Sequence, residues 1–168
     1  MADALLGKFR GTVADNLDPE RRGRLRVNVT GVHDFDPSSW ALPALPLAGS
    51  HLGVFVLPPI GSRVWLEFEQ GDINTPIWTG CWYDRASDVP GQALTGRPDS
   101  PSIVLQTGGG HSIVLSDLPG GPGITLRLSS GAKLEINDTG ITLDNGKGAV
   151  IALSATQVDI NNGALTVR

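Results

Sequence analysis

In residues 102–168 the apolar side chains stand in groups two positions apart: Ile103/Leu105, Ile113/Leu115, Ile124/Leu126/Leu128, Leu134/Ile136, Ile141/Leu143, Ile151/Leu153, Val158/Ile160 and Leu165/Val167. Residues two apart on a strand share a face, so each group predicts a short strand with one apolar side. The groups recur every seven to eleven residues or so, a persistent though irregular period. Between them lie Gly108-Gly109-Gly110, Pro119-Gly120-Gly121-Pro122-Gly123, Gly131, Asp138-Thr139-Gly140, Asn145-Gly146 and Asn161-Asn162-Gly163. These residue types accept the backbone of sharp corners.

The first 83 residues have a different pattern. Phe9 and Val13 alternate within residues 8–16, Asp18-Pro19-Glu20 makes a turn, and Arg24–Val29 reads as the returning strand of a hairpin. Residues 31–50, with Asp36-Pro37, Pro43 and Pro46, read as a long loop pinned by Trp40. His51–Leu57 is an apolar run expected as the third strand, stopped by Pro58-Pro59. Val64, Leu66 and Phe68 alternate with Trp65, Glu67 and Glu69 to give a fourth strand, and Ile77–Tyr83 a fifth beyond the 70–76 turn. Five short strands in this length suit a small Greek-key barrel of the OB type. Residues 84–101 hold three prolines without periodicity and read as a linker.

Composition sharpens the division. Every Trp, Phe and Tyr lies at or before Tyr83, so the bulky anchors of a compact core are confined to the first part. Eight strands with about two apolar residues each would make a poor monomeric core with open edges. Three copies wound together remove both faults, which predicts an intertwined trimeric β-helix, or β-prism, in which each strand is flanked by strands of neighbouring copies. Its core would be Ile113, Leu115, Ile124, Leu126, Leu128, Leu134, Ile136, Ile141, Leu143, Ile151, Leu153, Val158 and Ile160. At one strand layer per segment the rod would be on the order of 35–40 Å long. The expected architecture is thus all-β: an OB-type five-stranded barrel over 1–83, a linker over 84–101 and a trimeric spike over 102–168.

Net charge is −4, shared equally by the two parts, which argues against a polyanion binder. A single cysteine, Cys81, excludes an intrachain disulfide and a cysteine-based zinc site; flanked by Trp82, it reads as a small buried hydrophobe. The N-terminus has neither a basic region nor a continuous apolar stretch of the signal-peptide kind, and no run approaches a membrane span. Assembly in the cytoplasm is expected, with a larger particle carrying the protein out of the cell if it leaves.

Catalytic constellations are scarce. His33-Asp34-Phe35-Asp36-Pro37 reads as an Asx-type turn rather than an acid–base site. Gly108-Gly109-Gly110-His111 has no Gly-x-Ser-x-Gly elbow to serve, and Gly146-Lys147-Gly148 lacks the rest of a phosphate loop. No catalytic, cofactor or metal residue is assigned. Two other readings share these features: an OB nucleic-acid binder using Arg21, Arg22, Arg24, Arg26 and the tryptophans, which the acidic total opposes, and a trimeric glycan-binding fiber.

Several stretches resemble the baseplate spike family of contractile phage tails and related injection machines, which includes gpV-like baseplate assembly proteins and VgrG. They are Gly11-Thr12-Val13 with Asp15-Asn16, Asp18-Pro19-Glu20 followed by Gly23-Arg24, and above all Leu57–Asp72, continued by Pro76, Gly80 and Tyr83. In the rod, Gly110-His111 with Asp117, Gly131-Ala132 and Asp138-Thr139-Gly140-Ile141 match the opening repeats. The resemblance assigns structural roles to Pro58, Gly61, Phe68, Gly71, Asp72, Pro76 and Gly80. It implies a structural homotrimer whose barrel sits on a baseplate hub protein and whose spike makes transient contact with a target membrane as the sheath contracts, within a virion or injection-machine particle. Some relatives insert a lysozyme domain where this chain has the 84–101 stretch, and some end in a paired-histidine iron apex where this chain has Asn161–Arg168. Neither property carries over. An uncapped end instead implies a separate PAAR-like tip protein on Gly163, Ala164, Leu165, Thr166, Val167 and Arg168, held by strand pairing and apolar contact.

Overall fold

A computed structural model describes residues 4–36 and 39–167. Pro37 and Ser38 of the long loop and Arg168 of the terminal segment lie outside the described residues. The chain forms two compact units, Met1–Asp84 and Arg85–Arg168.

The first unit is a closed five-stranded barrel. Strands β1 (Phe9–Asp15) and β2 (Leu25–Val29) form the expected hairpin, with a bulge between Val13 and Asp15. β3 (Trp40–Pro43) follows, then a separate two-stranded ribbon of β4 (Ala48–Gly49) and β5 (Leu52–Gly53). β6 (Arg63–Phe68) and β7 (Pro76–Trp82) complete the order β1-β2-β3-β7-β6. The alternation read in β6 is the burial pattern: Val64, Leu66 and Phe68 point into the core with Val13, Leu25, Val27, Ala41 and Trp78. The Trp78 indole N–H donates to the Gly23 carbonyl (3.0 Å), satisfying a buried polar group beneath the barrel wall.

The third barrel strand is not the one expected. Residues 51–57 stay outside the barrel, with Val54, Phe55 and Val56 exposed, and Trp40–Pro43 takes the place instead, antiparallel to β2 and parallel to β7. A barrel strand needs one inward and one outward face. The continuous apolar run 54–57 lacks that alternation, whereas Ala41 alone turns inward between Trp40 and Leu42. Pro43 ends the strand, where its missing N–H costs no ladder bond.

The second unit opens with two single 3-10 turns, Ala86–Asp88 and Gly91–Leu94, within the stretch read as a linker. It continues as an eight-stranded antiparallel sheet: β8 (Ile103–Gln106), β9 (Ser112–Leu115), β10 (Ile124–Arg127), β11 (Lys133–Asn137), β12 (Gly140–Asp144), β13 (Val150–Ser154), β14 (Gln157–Ile160) and β15 (Leu165–Val167). All eight segments become strands. Their pairing corrects one expectation: each of β9–β14 is bonded to the preceding and the following strand of its own chain, and β8 and β15 form the two edges, so no strand inside the sheet is flanked by strands of neighbouring copies. The turns are short enough for consecutive strands to close on each other as hairpins, which leaves no gap for a foreign strand.

Candidate assembly interface

The register of the sheet turns the paired apolar residues into two continuous columns. One runs Ile103, Leu115, Ile124, Ile136, Ile141, Leu153, Val158, Val167; the other runs Leu105, Ile113, Leu126, Leu134, Leu143, Ile151, Ile160, Leu165. Neighbours within a column stand directly opposite each other, about 4.5–5.5 Å apart at Cβ. Twelve of the thirteen predicted core residues fall in these columns. Leu128 lies just beyond β10, at the corner where its N–H donates to the Ala132 carbonyl (2.9 Å).

Most of this apolar face is open. Thirteen of its sixteen column residues are exposed, from 37% at Ile141 to 63% at Ile103 and Leu105, and Leu134, Val158 and Ile160 are half-buried, while on the opposite face Ser112 and Val114 are buried and Lys133 pairs with Glu135 (2.9 Å). Fully covering a Leu or Ile side chain gains roughly 1.5–3 kcal/mol. The columns therefore hold a large association energy that a lone sheet forfeits. An exposed apolar surface of this extent marks an interface.

Polar side chains fix the corners that keep the columns in line. The His111 imidazole accepts from the Ser129 N–H through Nδ1 (3.2 Å), joining the β8–β9 corner to the β10–β11 corner. Asn145 Oδ1 accepts from the Lys147 and Ala149 N–H groups (2.8 and 3.0 Å). Asn161 Oδ1 accepts from the Val150 N–H (2.9 Å), and Asp159 Oδ1 from the Gly163 N–H (2.7 Å). These are the side-chain to backbone bonds for which Asn and Asp suit turns. At the far end β15 is an edge strand, paired only with β14, and Leu165 and Val167 are exposed beside Ala164 and Thr166.

On the barrel, the chain's own arginines sit against three of the four indoles that base stacking would use. Arg10 lies over Trp65 and Trp82 (5.8 and 5.1 Å to the ring centroids), and Arg26 and Arg24 lie over Trp40 (4.7 and 5.5 Å). Cys81, expected to be buried, is exposed on β7, because alternation along the strand puts Trp78, not Cys81, into the core. Among the family-motif residues, Phe68 closes the core edge-on against Phe9 and Phe35 (5.3 and 5.8 Å). Asp72 turns the β6–β7 connection by accepting from the Asn74 N–H (2.9 Å). Pro76 opens β7 opposite Phe68, and Gly80 lies opposite Trp65 beside the strand's bulge. Pro58 accepts from the Asn16 side chain (3.1 Å), and the Gly61 N–H donates to Val13 (2.9 Å). Gly71 accepts from the Leu5 N–H (3.0 Å).

One cluster escaped the sequence reading. Asp18 is buried and accepts from the backbone N–H groups of Glu20, Arg22 and Arg24 and from the Arg24 guanidinium. The guanidinium, helped by those backbone donors, holds the Asp18 carboxyl well below the usual carboxylate range. The signal was the Asp18-Pro19-Glu20 turn, read only as a corner. No group of three or more His, Cys, Asp or Glu able to hold a metal ion occurs among the described residues.

The comparisons agree with this geometry in both units. Residues 9–83 match the type VI secretion system/phage-baseplate injector OB domain, and residues 102–166 the phage baseplate V C-terminal trimerisation domain. Curated relatives are type VI secretion system spike proteins of Pseudomonas aeruginosa. VgrG4b is 31% identical over 60% of this chain, and VgrG2a is 32% identical over 50%. The chain spans only 13% and 10% of the length of these two relatives. An injector-type OB domain followed by a trimerisation domain places the chain in the phage baseplate V and VgrG-like spike family, as a homotrimerising structural part of a phage tail or secretion machine.

Proposed function

We infer that this chain is the central spike of a contractile injection machine. Three copies join their apolar columns into a solid shaft, the barrels seat on a hub protein of the baseplate, and sheath contraction drives the shaft through the target envelope. The observation that carries this reading is the pair of apolar columns running unbroken through all eight strands of the second unit. A shaft whose inner surface is wholly Ile, Leu and Val resists water entry at every level, and its stability is inseparable from assembly. By resemblance, a separate tip protein of the PAAR kind is added by strand pairing at β15, whose Leu165 and Val167 are exposed.

Mass in solution, measured with and without residues 102–168, tests the core of the proposal. The full chain should have three times its monomer mass down to high dilution, and the truncated chain should not. A full chain that remains a folded monomer would overturn it.

A further inference from the structure

The barrel has two unlike rims. At one, Phe35 closes edge-on over Phe68, and the Leu5 N–H donates to the Gly71 carbonyl (3.0 Å), so the chain's own residues seal it. The other rim gathers the C-terminal ends of β1, β3 and β7 with the N-terminal ends of β2 and β6. It carries exposed apolar side chains between paired charges. Leu17, Phe55, Val56, Ile60 and Tyr83 are each at least 60% exposed there.

Named contacts hold these residues at that rim. The Asn16 side chain donates to the Pro58 carbonyl (3.1 Å), and the Gly61 N–H donates to the Val13 carbonyl (2.9 Å). Phe55 packs over Gly23, where an added Cβ would lie 3.2 Å from its ring. Large apolar residues scattered singly over a surface need no explanation, but several on one rim mark an interface.

The chain leaves the barrel from the same rim. Arg63, at the start of β6, pairs with Asp84 (3.1 Å), directly after Tyr83. Because residues 102–166 trimerise, three such exits are tethered to one assembly by short segments of under twenty residues. These span at most about 60 Å when fully extended. Linkage that short keeps the three exit rims of one assembly within reach of each other. The rim charges are mixed in sign, with Arg22 paired to Glu20 (3.1 Å) and Arg63 to Asp84, so copies meeting there do not repel.

We propose that the exit rim of each barrel, through Leu17, Phe55, Val56 and Ile60, packs against the exit rims of the other two copies, so that the barrels form a second trimer contact independent of the columns. The proposal rests on the homotrimer, not on the hub or tip. It is tested in the full-length trimer purified alone, with p-benzoylphenylalanine in place of Phe55 or Ile60. Irradiation should give covalent dimers and trimers whose adducts map to residues 15–23, 54–62 or 82–84 of another copy. Adducts confined to residues 85–168, or no intercopy product in a sample of trimer mass, would overturn the proposal. A monomer mass would overturn both this contact and the spike reading. In a Phe55→Asp, Ile60→Asp trimer, amide hydrogen exchange over 54–62 should be at least about tenfold faster than in the unsubstituted trimer; unchanged exchange would also overturn it.

Discussion

The Arg24 guanidinium grips the Asp18 carboxylate through both Nε and Nη2, at 3.0 and 2.7 Å. The pair ties the β1–β2 turn to the residue just before β2, and Glu20 adds a second contact to Arg24 (3.1 Å). Because the carboxyl is held below its ordinary value, its contribution to stability is complete above the unfolded pKa of about 3.9 and is lost as pH falls through the lowered folded value. Every tryptophan lies in the barrel, so tryptophan fluorescence reports that unit alone. Melts followed this way should drop steeply below about pH 4. Asp18→Asn should melt several degrees lower at pH 7 and show a flatter acid limb.

Substitution in the middle of either column places three charges at one level of the shaft. Leu126→Asp and Ile136→Asp should each abolish the trimer, since an unpaired buried carboxylate costs several kcal/mol per copy. Light scattering reads the mass directly, and an unchanged trimer would contradict the column assignment.

Gly140 begins β12 with φ +151°, and a Cβ there would collide with the Leu153 carbonyl oxygen. Gly148 also has a positive φ, but nothing lies within 4 Å of its would-be Cβ. Gly140→Ala should therefore destabilise the sheet by clearly more than the roughly 1–3 kcal/mol of backbone strain that bounds Gly148→Ala. Denaturation of the trimer followed by far-UV circular dichroism ranks the two.

Deleting residues 163–168 removes β15 and exposes β14 as the new edge, while leaving most of both columns in place. The shortened chain should keep its trimer mass and lose co-purification with a tip protein. Undiminished co-purification would place the tip elsewhere.

Period two was the legible part of the fold. Pairs such as Ile141/Leu143 specify both the strand and its inward face, and the Asn and Gly corners specify where it turns, so all eight segments of the sheet were readable. What a single chain does not display is which strand lies beside which. Strands of neighbouring copies and strands of one hairpin offer the same alternation, and only the closeness of successive turns decides for the hairpin. In the barrel, Trp40–Pro43 was hidden by brevity and flanking prolines, while Val54–Val56 mimicked a strand through hydrophobicity that faces the surface. The Asp18–Arg24 pair was illegible because its partners meet only after the turn has folded.

The columns also make the shaft modular. Each hairpin adds the same two-residue inner pair on each strand and returns the chain to the same side, so duplicating one would extend the shaft by about 10 Å with no change in cross-section. On the proposed reading, the length of the shaft thus becomes a quantity set by the number of hairpins, adjustable in steps without redesigning either end.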